Sequence, residues 1–163
     1  MVVQKNRGKG TPPASLGGME TCARLMLTVI TLGAIAAGPG HAGEGYCFDA
    51  AARRYGLPPA LLWAVAKVES NFDPAAVNRN RNGSLDVGVM QINSIWLKQL
   101  GKERWGALGD PCFNIQVGAY VMADCVRRHG YTYEGIGCYN ADSYEQRIRY
   151  ARKVVKAMTE LGP

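Results

Sequence analysis

The feature that most constrains the fold of this chain is a set of four cysteines between residues 47 and 138. They are Cys47, Cys112, Cys125 and Cys138. In an exported chain, an even number of cysteines is typical of two disulfides, which join segments distant in sequence. No two of them form a CxxC pair, and His129 is the only histidine after residue 42. We therefore expect neither a zinc site nor any other metal or cofactor.

Export itself is indicated by the N-terminal segment. Several basic residues precede an uncharged apolar run over residues 25–37, and small residues follow it up to Ala42. This order is that of a secretory signal peptide. The run is also shorter than the about 20 apolar residues that a membrane-spanning helix needs. We predict a signal peptide over residues 1–42, with an uncleaved anchor as the alternative.

The length of this leader leaves two choices open. Translation from Met19 would give a signal peptide of more ordinary length, and cleavage after Ala36 is a second choice to cleavage after Ala42. In either case the mature chain, residues 43–163, is long enough for one compact core. We expect a single domain, monomeric and located in the periplasm.

The charge of the mature chain does not indicate a nucleic-acid partner. Residues 43–163 carry 15 Lys and Arg against 12 Asp and Glu, a net charge of +3, whereas the whole chain has +6. No dense cluster of Lys and Arg with interleaved aromatic residues occurs, so nucleic-acid binding is not expected. A mild positive charge would suit an anionic wall polymer, although it more often serves solubility.

The apolar spacing of the mature chain predicts a mainly α fold. Residues 71–88 are polar and rich in Asn and Gly, which predicts a long loop with a small strand pair around Asn82-Gly83. Ser143, followed by Gln146, is a capping-box pattern at the start of the last helix. The predicted helices cover about residues 49–55, 59–70, 91–100, 113–128, 133–140 and 143–161.

Helix geometry limits how the cysteines can pair. Cys112 and Cys125 would be separated by 13 residues along one helix, roughly 20 Å, whereas a disulfide needs Cα atoms within about 7 Å. This excludes Cys112–Cys125, and with it Cys47–Cys138. We favour Cys125–Cys138 with Cys47–Cys112, because a short turn at Gly130 would place two antiparallel helices side by side. Cys47–Cys125 with Cys112–Cys138 stays open.

Glu69 is the candidate catalytic residue that the pattern itself suggests. In the helix over residues 59–70, Leu62, Val65, Ala66 and Glu69 follow the spacing i, i+3, i+4, i+7 and share one face. Burial at the end of an apolar stripe raises the pKa of a carboxyl group, as a general acid near neutral pH requires. The alternative is a structural glutamate that caps a helix or pairs with an arginine.

Two further segments could complete a sugar-binding site. Gly88 permits close backbone approach, and Met90 and Gln91 could then present an apolar surface and an amide toward the loop. Tyr139 could pack on a sugar or on Glu69, and Asn140 could orient a sugar amide. Taken singly, each of these segments also has an ordinary structural explanation, such as core packing or a helix end.

Taken together, these segments are much more specific. The chain resembles the soluble lytic transglycosylase family, whose motifs E-S, G-[LV]-M-Q and Y-N occur here in order. They are Glu69-Ser70, Gly88-Val89-Met90-Gln91 and Tyr139-Asn140, and residues 147–154 are similar to the family's final helix. Within the family, the runs at residues 46–48, 80–86 and 110–114 look most like the small, cysteine-containing IagB-like members. Those accompany type III secretion, type IV pilus and conjugation machines.

The resemblance implies a lysozyme-like fold and a specific reaction. Glu69 would be the sole catalytic carboxylate, and Ser70, Met90, Gln91, Tyr139 and Asn140 would line one groove with it. The enzyme would cleave peptidoglycan strands between N-acetylmuramic acid and N-acetylglucosamine without water, leaving a 1,6-anhydro ring. Asp73 and Asp86 lie nearby in sequence, and we expect turn chemistry for Asp73 and loop bracing for Asp86.

One residue departs from the family pattern, and two other functions compete with this one. The family usually continues Y-N-A-G, whereas Asp142 replaces that glycine here. A hydrolytic lysozyme would need a water-activating carboxylate such as Asp86. An inactive wall-binding assembly factor would need no catalytic residue, and an intact Glu69 argues against it.

Overall fold

The computed structural model describes residues 47–160. The predicted signal peptide therefore lies outside the described residues. Within them the chain is mainly α, as expected. The helices are α1 (Phe48–Tyr55), α2 (Pro59–Ser70), α3 (Leu97–Gly106), α4 (Pro111–His129), α5 (Tyr133–Gly137) and α6 (Tyr144–Thr159), with short 3₁₀ turns at Ser94–Trp96 and Ala107–Gly109. No helix in residues 47–160 is long and apolar enough to cross a membrane.

Helix α2 carries the apolar stripe that the sequence predicted. Its Leu62, Val65 and Ala66 are fully buried, whereas Glu69 at the end of the same stripe is only partly buried. The helix begins at Pro59, whose fixed φ suits a first turn, and ends where Asn71 adopts a left-handed conformation. The buried face of α2 thus ends in a carboxyl group at the edge of the core.

Helix α6 packs against both α2 and α5. It begins as predicted, because the Ser143 hydroxyl accepts a hydrogen bond from the Gln146 N–H at 3.4 Å. Its buried face consists of Tyr150, Ala151, Val154 and Ala157. Tyr150 on this face is the residue that comes closest to α2's carboxyl group.

The segment between α2 and α3 forms a small antiparallel sheet. Strand β1 (Val77–Arg79) pairs with β2 (Leu85–Val87), which pairs with β3 (Ile92–Asn93). The predicted strand pair around Asn82-Gly83 is therefore confirmed. The predicted helix over residues 91–100 is wrong in its first half, because residues 92 and 93 extend the sheet and α3 starts only at Leu97. The apolar spacing there reflects burial against the core rather than a helical face.

The cysteines pair as the helix geometry favoured. The disulfides are Cys47–Cys112, with Cα atoms 5.1 Å apart, and Cys125–Cys138, with Cα atoms 5.7 Å apart. Cys112 and Cys125 both lie on α4, which is why they do not bond to each other. The first disulfide joins the start of α1 to α4, and the second joins α4 to the residue just before Tyr139. Helix α5 ends at Gly137, earlier than predicted, so Tyr139 and Asn140 lie in a turn.

Candidate active site

Glu69 lies at the meeting point of three segments. It is the penultimate residue of α2 and keeps part of its surface exposed. The Tyr150 hydroxyl, on α6, donates a hydrogen bond to Glu69 Oε1 at 2.5 Å. The Asn140 side chain, from the turn after α5, donates a second hydrogen bond to the same carboxyl group. The carboxyl group is thus held in place by donors from two other segments, on a residue that is only partly buried.

Burial raises the pKa of Glu69 to about 7. The hydrogen bond from Tyr150 opposes this rise, the negative charge of Asp86 adds to it, and the hydrogen bond from Asn140 opposes it. Burial also raises the pKa of Tyr150 well above its ordinary value, with the Glu69 charge as a further cause, so the tyrosine keeps its proton and acts as a donor. Glu69 can therefore either give or accept a proton near neutral pH.

Asp86, on β2, is fully buried and engaged on both oxygens. Asn80 Nδ2 donates to Oδ2 at 2.8 Å, and Asn93 Nδ2 donates to Oδ1 at 2.6 Å. Burial raises the pKa of Asp86 in spite of these two bonds. The expected bracing role therefore agrees with its contacts. Asp73 also behaves as expected, since its Oδ1 accepts the Ala75 N–H at 2.8 Å within a turn.

Gly88 allows the loop to lie directly against α4. A Cβ at this position would lie 2.2 Å from Asn114 Nδ2, and its φ of +76° is one that favours glycine. Asn114, fully buried on α4, accepts the Met90 N–H at 2.8 Å and donates to the carbonyls of Val87 at 2.9 Å and Leu108 at 3.0 Å. One side chain thus satisfies three backbone groups around the glycine.

Ser70 and Gln91 use their polar groups within the protein. The Ser70 hydroxyl donates to the Val89 carbonyl at 2.8 Å, which ties the end of α2 to the loop. Gln91 adopts a left-handed conformation with φ +47° and donates through Nε2 to the carbonyls of Gly88 at 2.9 Å and Ala76 at 3.1 Å. Its Oε1 accepts from Asn78 Nδ2 at 2.6 Å.

Tyr139 connects the turn after α5 to the same loop. Its hydroxyl donates to the Met90 carbonyl at 2.8 Å, and its ring is stacked on Tyr150 with centroids 6.4 Å apart. The side chain of Met90 is packed against Gly118 of α4, where a Cβ would lie 2.8 Å from it. Tyr139 is thus connected to the loop through Met90 and to Glu69 through Tyr150, whose hydroxyl binds the carboxyl group.

The predicted groove is therefore corrected in part. Met90, Gln91 and Tyr139 are fully buried, so they have no surface through which to contact a substrate. Their role in this structure is to support the loop and the turn. Ser70 and Asn140, like Glu69, are only partly buried. The sequence pattern does not distinguish residues that line a substrate groove from residues that pack beneath it, because both kinds lie close to the site and both can be apolar or carry amides.

Tyr150 is a site residue to which the sequence assigned no role. It lies within the run that resembles the family's final helix, and it is buried on the same face of α6 as Ala151, Val154 and Ala157. A tyrosine on such a face needs a partner for its hydroxyl, and that requirement was the available signal. Within residues 47–160, no group of His, Cys, Asp or Glu side chains could hold a metal ion.

Comparison with known families identifies the class of the chain. A family model described as the transglycosylase SLT domain matches residues 46–157, which include every residue of the site described above. The chain therefore belongs to the transglycosylase SLT family, and its mainly α domain is lysozyme-like. Membership indicates a lytic transglycosylase-type role with peptidoglycan as the class of substrate.

Particular relatives are small proteins of enteric bacteria. The chain is 38% identical over 115 residues to invasion protein IagB of Salmonella typhimurium, which covers 66% of this chain and 72% of the relative. It is 34% identical over 123 residues to protein IpgF of Shigella flexneri, which covers 71% and 81%. It is 33% identical over 150 residues to a peptidoglycan-binding-like protein of Escherichia coli O157:H7, covering 83% and 89%. The chain is thus an IagB-like member of its family.

Proposed function

We propose that this protein is a peptidoglycan lytic transglycosylase in which Glu69 is the single catalytic acid and base. It cleaves the β-1,4 bond between N-acetylmuramic acid and N-acetylglucosamine and leaves a 1,6-anhydromuramyl end. The observation that carries this proposal is the placement of Glu69, a partly buried residue held by donors from two other segments, where burial raises the pKa of its carboxyl group to about 7. Such a group is protonated in a large fraction of molecules near neutral pH.

The first half of the reaction uses Glu69 as an acid. Tyr150 donates to Oε1, and we assign the transferable proton to Oε2. That proton passes to the glycosidic oxygen as the bond from this oxygen to C1 of the muramyl sugar breaks. The departing glucosamine keeps the oxygen as a hydroxyl group. The substrate's own N-acetyl group stabilises the positive charge that develops at C1, in place of the second carboxylate of a usual glycosidase.

The second half uses the same residue as a base. The ionised Glu69 accepts the proton of the muramyl C6 hydroxyl, whose oxygen bonds to C1 and closes the anhydro ring. Glu69 returns to its protonated form, so no water is consumed. The hydrogen bonds from Tyr150 and Asn140 stabilise the carboxylate between the two halves. Asn140 and Ser70, which are partly exposed, are proposed to contact the sugar as well.

A hydrolytic lysozyme is the competing enzyme, and the surroundings of Asp86 argue against it. A hydrolase would need a second group to activate water. Asp86 is the nearby candidate, but it is fully buried and each of its oxygens accepts a hydrogen bond from an asparagine. It acts on Glu69 through its charge rather than on a water molecule.

We further propose that the protein is exported and opens the wall locally for a secretion or pilus apparatus. The predicted signal peptide and the two disulfides support export to the periplasm. A relative named as an invasion protein supports a connection with such an apparatus. The domain would act alone on glycan strands, without a cofactor.

The test is digestion of purified peptidoglycan followed by mass spectrometry of the fragments. We expect muropeptides that are lighter by one water than hydrolysis products. The matched control is Glu69→Gln, which preserves the shape of the side chain but cannot transfer a proton, and we expect it to be about 10²–10⁴-fold slower. Hydrated products would establish a lysozyme instead. Binding to the wall without any cleavage would support the assembly-factor alternative.

A further inference from the structure

The two donors to Glu69 come from separately folded parts of the chain. Tyr150 is fixed on the buried face of α6, whereas Asn140 lies in the turn between α5 and α6. Their spacing therefore depends on how this turn is anchored to α6. The turn is hydrogen-bonded to the end of α5, because the N–H groups of Asn140 and Ala141 both donate to the Gly137 carbonyl at 3.1 Å.

Helices α5 and α6 touch through their backbones at one point. A Cβ on Gly137 would lie 2.2 to 2.4 Å from the carbonyl oxygen, carbonyl carbon and Cα of Arg147. Only glycine permits such an approach, since any side chain would push the two helices apart. Arg147 is thus the α6 residue nearest to the end of α5, and it lies one turn before Tyr150.

The side chain of Arg147 forms hydrogen bonds on both sides of Asn140, to Ala141 after it and to Glu134 before it. Its Nε donates to the Ala141 carbonyl at 2.9 Å, directly after Asn140. Its Nη1 donates to Glu134 Oε1 at 3.1 Å, on α5 before the turn, and lies 3.4 Å from His129 Nε2. The Arg147 side chain is only 14% exposed, whereas that of Glu134 is 43% exposed, so the guanidinium group is largely buried although its carboxylate partner reaches solvent.

We propose that Arg147 is a positioning residue that holds Asn140 at hydrogen-bonding distance from Glu69 by clamping the α5–α6 turn onto α6. A guanidinium group presents its donors in a rigid planar fork, which allows it to bond the carbonyl and the carboxylate at the same time. A lysine at this position has a single charged nitrogen and reaches one of the two partners. This proposal concerns the same site as the proposed function, and its importance for catalysis rests on Glu69 being the catalytic acid and base.

Loss of the clamp has a defined effect on Glu69. The groups that face this carboxyl group are Tyr150 from α6, Asp86 from β2 and Asn140 from the turn. Of these, the clamp acts on Asn140, whose hydrogen bond lowers the pKa of Glu69. When Asn140 moves away, the pKa of Glu69 should rise, while the bond from Tyr150 stays in place.

The experiment is an NMR titration of the Glu69 carboxyl carbon in the purified protein and a set of variants. Arg147→Lys is the central variant because it retains the positive charge, so any change reflects geometry. We expect it to raise the pKa of Glu69 by about 0.5–1 pH unit, the size of one hydrogen bond to the carboxylate. Arg149→Lys is the matched control, since Arg149 lies two residues along α6 on its exposed face. It should leave the titration unchanged.

A double-variant cycle identifies the route of the effect. Asn140→Ala alone should raise the pKa of Glu69, and adding Arg147→Lys to it should cause no further rise. A titration in Arg147→Lys that matches wild type, or an equal rise in the Asn140→Ala background, would overturn the proposal. The carboxyl titration needs no substrate, so failure of the proposed reaction would leave this result interpretable.

Discussion

Glu69 lies between two regions that are stabilised in different ways. The helices bury apolar faces against one another, as α2 and α6 do, and two disulfides reinforce them. The segment from the end of α2 through β3, residues 71–93, also contributes apolar residues to the core, but it contains in addition a network of buried polar side chains, namely Asp86, Gln91 and Asn93. Apolar packing tolerates small adjustments, whereas a hydrogen-bond network depends on exact partners. The helices are therefore stabilised by apolar burial and disulfides, whereas the segment depends in addition on specific hydrogen-bond partners.

Removing each disulfide in turn tests how much it stabilises the helical region. Replacing Cys47 and Cys112 by alanine should destabilise the protein by about 4 kcal/mol, because their sequence separation of 65 closes a long loop. Replacing Cys125 and Cys138, separated by 13 residues, should cost about 3 kcal/mol. Urea unfolding measures both.

The same two variants should differ in the opposite sense in activity. Measured in conditions where both are folded, the variant that is destabilised less, which lacks Cys125–Cys138, should lose more of its rate of wall cleavage. Cys138 precedes Tyr139 and Asn140, so loss of its disulfide should slow cleavage more. Equal loss of activity in the two variants would show that neither disulfide has a special relation to the site.

The loop can be tested with two glycines that differ in their surroundings. Gly88→Ala should destabilise the protein by about 3 kcal/mol, because the new Cβ meets Asn114 and disturbs a fully satisfied buried amide. Gly83→Ala is the control, since its φ of +82° is equally unfavourable to alanine but nothing lies within 4 Å of the Cβ. It should cost about 1 kcal/mol. Similar losses for both variants would mean that strain, not the Asn114 contact, dominates.

A smaller effect is expected at Glu69, where the two regions meet. Because its pKa is raised to about 7 in the folded protein, the folded state binds more protons than the unfolded state between about pH 4.5 and 7. Stability from this group is therefore lost as pH rises through that window. Glu69→Gln should match wild type near pH 4 and exceed its free energy of unfolding by about 1–3 kcal/mol at pH 8. A constant difference across this range would contradict a raised pKa.

The difference between the two regions also explains what the sequence could predict. Helices α2, α4 and α6 follow from local signals, namely apolar periodicity, Pro59, Asp110-Pro111 and the Ser143 cap. Helix geometry excluded Cys112–Cys125 and favoured the observed pairing, whereas the sequence alone leaves open the alternative of Cys47–Cys125 with Cys112–Cys138. Glu69 was a candidate because it ends an apolar stripe, and only the resemblance to the family's E-S motif favoured a catalytic role over a structural one.

What could not be predicted depends on contacts between distant residues. Strand β3 forms at residues 92–93 only because β2 is folded beside it, and no local signal marks a strand of two residues. The burial of Met90, Gln91 and Tyr139 likewise depends on Asn114 and on the turn after α5. The bond from Tyr150 to Glu69 joins residues 81 positions apart. Periodicity placed Tyr150 on a buried face, but not opposite a carboxyl group.

The pH dependence of kcat/KM for wall cleavage tests the central claim most directly. This quantity reports ionisations of the free enzyme, and the reaction requires Glu69 in its protonated form. With a pKa of about 7, kcat/KM should fall tenfold for each pH unit above neutrality. A rate that stays constant from pH 6 to pH 9, in a protein that remains folded, would contradict the assignment of Glu69 as the acid.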